Sequence, residues 1–124
     1  PPKRKHDEQT DQVRLCKWLT TEGLMYCALN TSLYGLSIGR IMKLKAMGVK
    51  AGMPDLMVLI PQHRSAAKQA VMLFVELKTA KGGRLSKEQD TWIHALNEIP
   101  FVLAMECKGL GKALEFIQNN LKHE

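Results

Sequence analysis

The chain has 124 residues, 45% hydrophobic and 24% charged, the profile of one globular domain and not of a disordered segment, a collagen or a coiled coil. Its 18 lysines and arginines against 12 aspartates and glutamates leave a net charge of +6, which is permissive of nucleic-acid binding. Apolar runs such as 24–29 and 70–75 fall far short of the about 20 residues that cross a membrane, and no apolar stretch near the start suggests a signal peptide.

Residues 1–7 are basic and carry no large apolar side chain, so a loose arm is expected before a single domain over 8–124. Val13, Cys16 and Leu19 recur at helical spacing and predict a helix over 8–19, closed by Gly23. Residues 24–29 have strand length, and Asn30, Thr31, Ser32 and Gly35 read as a loop. Ser37 suits the N-cap of a second helix through Ile38, Ile41 and Met42, with Gly48 just past its end. Residues 56–60 are all apolar and bounded by Pro54 and Pro61, the pattern of a strand covered on both faces. A polar loop leads to a second long strand at 71–78, then to a basic turn over 81–85.

Ser86 and Gln89 have capping-box spacing at the start of a helix whose Trp92, Ile93 and Leu96 share a side. Pro100 stops that helix, and 101–105 reads as a strand. Leu110, Leu114, Ile117 and Leu121 mark a last helix. The order is αβαββαβα, an α/β fold with helices on both faces of a small mixed central sheet. Cys16, Cys27 and Cys107 are odd in number and form no CxxC pattern, which argues against a disulfide framework or structural zinc and predicts a reducing cytoplasm. The methionines are read as core filler.

The chemistry concentrates on the two long strands. Met72, Phe74, Glu76 and Lys78 share one face of 71–78, while Val71, Val75 and Leu77 share the other. An antiparallel pairing with Ile60 opposite Val71 brings Asp55 opposite Glu76. Like charges in that position repel. A divalent cation between them removes the conflict, and oxygen ligands suit magnesium or manganese. Gly52 permits close backbone approach beside Asp55.

Pro54-Asp55 followed by Glu76-Leu77-Lys78 resembles the PD-(D/E)xK nuclease signature. The longer block Gly48-Val49-Lys50-Ala51-Gly52-Met53-Pro54-Asp55-Leu56, with Gly83-Arg84-Leu85-Ser86 and Gln89, resembles the VRR-NUC (virus-type replication-repair nuclease) domain. Glu8, Gln12 and Asn30 also match, although relatives that carry Asn-Gly differ from Asn30-Thr31 here. The likeness spans about 8–121 and implies a restriction-endonuclease-like core.

The resemblance implies Mg2+ or Mn2+ held by Asp55, Glu76 and the Leu77 backbone carbonyl, with Lys78 orienting the attacking water. Gln89 would hold Lys78 or the water, cap its helix, or do both. Glu8 would add a ligand for a second metal or favour its helix N-terminus. Arg40, Lys43, Lys45, Lys50, Lys81, Arg84 and Lys87 flank the pair and fit a groove for a phosphate backbone. The expected activity is a metal-dependent, structure-specific DNA endonuclease acting on branched DNA such as four-way (Holliday) junctions, as a homodimer in a bacterial or phage-infected cytoplasm and with no membrane. A flap or restriction-like nuclease, or a non-catalytic nucleic-acid binder on the same fold, is the alternative.

Overall fold

The computed structural model describes residues 3–29, 32–79, 81 and 84–123, with backbone alone for 3–7. Asn30 and Gly83, singled out above, lie outside the described residues. The elements are α1 (Lys3–Thr21), β1 (Met25–Ala28), α2 (Ile38–Ala46), β2 (Leu56–Ile60), β3 (Val71–Lys78), α3 (Lys87–Asn97), β4 (Val102–Lys108) and α4 (Leu110–Asn119), with one short 3-10 turn at Gln62–Arg64. The order αβαββαβα is the expected one. Helix α1 starts at Lys3, so most of the stretch expected to be a loose arm is helix. Lysine, arginine, glutamate and glutamine are good helix formers, and no proline or glycine interrupts them after residue 2.

The four strands form one mixed sheet in the order β1-β2-β3-β4. Strands β1 and β2 pair antiparallel, as do β2 and β3, while β3 and β4 run parallel. The β2–β3 register is the expected one, from Ile60 opposite Val71 to Leu56 opposite Val75. One face of the sheet packs against α1 and α4. Leu56, Val58, Leu73, Val75 and Leu77 meet Leu15 and Leu19 of α1 and Ala113 and Ile117 of α4. On the other face, Phe74 and Ala104 meet Leu96 of α3, with Met57, Met72 and Ile93 around them.

Helix α3 covers only part of its face, because it lies over β4 and the adjoining half of β3. Strand β2 is therefore not sealed on both sides: Leu56, Val58 and Ile60 are buried, but Met57 and Leu59 are half-buried. The methionines divide in the same way. Met53, Met57 and Met72 pack on the smaller core, whereas Met25, Met42, Met47 and Met105 are exposed and fill no core. Helix α2 has the expected Ser37 cap, which accepts from the Arg40 N–H, and Gly48 beyond it takes a φ of 100°. None of its residues is buried.

Candidate active site

Strand β2 begins at Leu56, and one residue earlier the same register sets Asp55 opposite Glu76. Two neighbours hold Asp55. Its carboxylate Oδ2 accepts the Leu77 backbone N–H at 2.8 Å, and its backbone carbonyl accepts the Leu29 N–H at 2.8 Å. A rigid backbone thus points the carboxylate at the neighbouring strand.

Glu76 is 3% exposed. Its Oε2 lies 4.0 Å from Lys78 Nζ, two residues along the same strand face, and accepts from Gln89 Nε2 at 3.2 Å. Its Oε1 is buried and, among the described residues, has no hydrogen-bond partner. A buried, unpartnered carboxylate oxygen is costly and calls for a ligand.

The electrostatics agree. Burial pushes Asp55 up from the ordinary carboxylate range, against the pull of the Leu77 N–H and Lys78. Burial first, and then the charge of Asp55, push Glu76 up to about 8. The Lys78 charge offsets part of that, while hydrogen bonding to Asp55 and then the charge of Glu8 add further upward pushes. Two carboxylates in one desolvated place do not both ionise readily, and a divalent cation relieves that conflict. The Asp55 carboxylate and the orphaned Oε1 of Glu76 are oxygen donors that fit a hard cation.

Gln89 meets Glu76, and not Lys78. Its Oε1 accepts the Ser86 N–H at 2.9 Å, and Ser86 Oγ accepts the Gln89 N–H at 3.1 Å, so the capping box forms. Its Nε2 is left to reach across to the carboxylate. One side chain thus ends a helix and fixes a site oxygen.

The N-terminal turn of α3 is also clamped to the loop that carries Asp55. Gly52 has a φ of 94°, and a Cβ built there would come within 2.6 Å of the Glu88 backbone carbon and 2.8 Å of the Gln89 nitrogen. Trp92 Nε1 donates to the Ala51 carbonyl at 3.1 Å. The sequence pattern marks Gly52 as a close-approach residue but Trp92 only as part of an apolar helix face. An indole N–H beside a glycine-rich loop is the one signal that pointed to this contact.

Glu8 comes within electrostatic reach of Glu76, yet no group of three or more His, Cys, Asp or Glu side chains gathers for a metal among the described residues. Arg40, Lys43, Lys45, Lys50, Lys81, Arg84 and Lys87 are all exposed. Among the described residues, no ion pair engages them. Lys50 and Lys87 line one shallow cleft of about 420 Å³ with Trp92, next to the clamp.

The sequence pattern of the VRR-NUC domain, a nuclease-type family, matches residues 4–114. A solved structure described as a VRR_NUC domain protein superposes with a TM-score of 0.60 at 23% identity, covering 91% of this chain and 86% of the other. That likeness carries the fold. None of the curated proteins compared is similar to the chain. No helix among the described residues is long and apolar enough to cross a membrane.

Proposed function

The chain belongs to the VRR-NUC domain family, and from that premise we propose that it is a divalent-metal-dependent DNA endonuclease that recognises branched DNA by its shape. One observation carries the reading: the buried pair Asp55 and Glu76, with an unpartnered Glu76 oxygen and Lys78 on the same strand face. Asp55, Glu76 and the Leu77 carbonyl would hold Mg2+ or Mn2+. When bound, the metal supplies Lewis acidity toward the scissile phosphate and a more acidic water.

The chain's own groups do the rest. Lys78 orients the attacking water and meets the negative charge that grows on the phosphate oxygens. Gln89 keeps Glu76 Oε2 in place, leaving Oε1 as the metal-facing oxygen. The exposed cations of α2, of the loop before β2 and of the start of α3 hold the phosphate backbone. Within this domain, recognition rests on backbone geometry.

A homodimer suits a branched substrate with two symmetric strands to cut. The outer side of α2 supports it: Ile38 is 78% and Met42 67% exposed, one helical turn apart. Large exposed apolar side chains in a row mark interaction surfaces.

The test uses labelled duplex, flap, splayed-arm and four-way-junction DNA with magnesium, manganese or EDTA. Cleavage of the junction in either metal and none in EDTA is expected. Full cleavage in EDTA overturns the metal reading. Preferential cutting of flaps, with a solution mass of one 14.0 kDa chain, replaces the junction by a flap substrate.

A further inference from the structure

We propose that Pro54 is a positioning residue: it withholds the one backbone N–H that the sheet would otherwise aim at the Leu77 carbonyl, and so keeps that carbonyl open for a divalent cation. The inference rests on the metal reading above and concerns how this chain prepares the site.

In a strand the N–H and the carbonyl of a residue point to the same side, and successive residues point to opposite sides. On β3 the Met72 N–H donates to the Phe101 carbonyl and the Gly109 N–H donates to the Lys78 carbonyl, so 72 and 78 face β4. Leu77 faces the other way, as its N–H bond to Asp55 shows. Its carbonyl is therefore directed to the β2 side.

On β2 the Leu29 N–H donates to the Asp55 carbonyl, so Asp55 faces β1, and its neighbours 54 and 56 face β3. Leu56 pairs with Val75. The next pair in that ladder is 54 with 77. At that point any residue but one would exchange two hydrogen bonds with Leu77. Proline has no N–H to give. The ladder therefore offers the Leu77 carbonyl no donor, and the Leu77 N–H turns to the Asp55 carboxylate.

Pro54 is fully buried, unlike a proline at an ordinary exposed turn. Among the described residues, Glu76 Oε1 has no partner, and on the neighbouring residue the ladder offers the Leu77 carbonyl no donor. Both belong to the atoms a cation would use.

The test compares two replacements in the DNA-free protein. Pro54→Ala restores the N–H. Replacing residue 54 with lactic acid gives the same methyl side chain but an ester oxygen in place of the N–H. Both lose the ring, so only the donor differs. Manganese binding, read by electron paramagnetic resonance, should weaken by about tenfold in Pro54→Ala relative to the lactic-acid form, the usual scale for disturbing a metal ligand. In metal-free Pro54→Ala, the new amide at position 54 should be protected from hydrogen exchange.

Equal manganese affinity in the two forms overturns the proposal. So does unprotected exchange at position 54, which is read without metal and stands apart from the nuclease reading. A wild-type protein that binds no manganese at millimolar concentration overturns the metal reading itself, and this inference with it.

Discussion

At one end of the β2–β3 pair, Ile60 faces Val71 and both are buried. The connection beyond them is pinned by Arg64, which pairs with the Glu22 carboxylate at 3.1 Å, and by a bridge between Ser65 and Leu121. At the other end, Asp55 faces Glu76, Pro54 interrupts the ladder, and a buried carboxylate oxygen has no partner. The register is the same along the whole pair. The closed end satisfies its polar groups and stabilises the fold, whereas the open end leaves acceptors unmet and stores the chemistry. Strain of that kind persists only where the surrounding structure overdetermines it. Here α3 does so, through Gln89, Trp92 and the close approach at Gly52.

The comparison is broken most directly at Lys78. Lys78→Ala should lower the cleavage rate by about three orders of magnitude, about 4 kcal/mol of transition-state stabilisation. Junction binding, measured by filter retention, should change by only a few fold, since many exposed cations share that task. An equal loss of binding and cutting would make Lys78 a DNA-positioning residue.

Leu73→Ala probes the apolar part of the same strand. Leu73 is fully buried against β2 and the α1–α4 layer. Its truncation should cost about 2–5 kcal/mol in chemical denaturation. The rise in melting temperature given by magnesium should stay as in the wild type. A lost magnesium response would mean that the two ends are not separable.

Much of this division was legible in the residues. Two apolar runs with prolines at 54 and 61 set the strand limits, and a one-residue slip is disfavoured because it turns every side chain over, but a two-residue slip keeps the faces and the ten-residue connection does not select between them. Asp55 and Glu76 come together once Ile60 is set opposite Val71, the register that the sheet adopts. The clamp did not follow from pattern. The contact from Trp92 to Ala51 joins a helix to a loop far away in sequence, and no periodicity reports it. The capping-box spacing showed what Gln89 Oε1 does, but its Nε2 is directed by tertiary packing. Methionine was equally ambiguous, since Met57 packs under α3 while Met42 lies on the outer side of α2.

A smaller effect is expected at Asp55. Magnesium at about 100 times its dissociation constant should stabilise the wild type by about 2.7 kcal/mol. Asp55→Asn should lose most of that gain and the activity with it. Without metal the variant should melt at or above the wild type, because asparagine keeps an acceptor for the Leu77 N–H and removes the desolvated charge of Asp55. A metal-free variant that melts well below wild type would make Asp55 a structural group. An unchanged magnesium response would put the cation elsewhere.

The smallest effect is a dependence on pH. Glu76 holds its proton up to about 8 in the folded chain, against 4.5 for the ordinary group. Between those values the folded protein binds a proton that the unfolded chain has released. Stability is therefore fully present below pH 4.5 and declines as pH rises toward about 8. Asp55, also shifted upward, acts in the same direction at lower pH. In EDTA, melting temperature should fall measurably across this window. Glu76→Gln has no proton to lose and should flatten the curve. Magnesium should reverse the slope in the wild type, because the cation competes with the proton for the same oxygens. A metal-free wild type whose stability rises steadily from pH 4.5 to 8 would mean that Glu76 is ionised throughout, already balanced by Lys78 and Gln89, and the contrast between the two ends of the hairpin would lose its electrostatic basis.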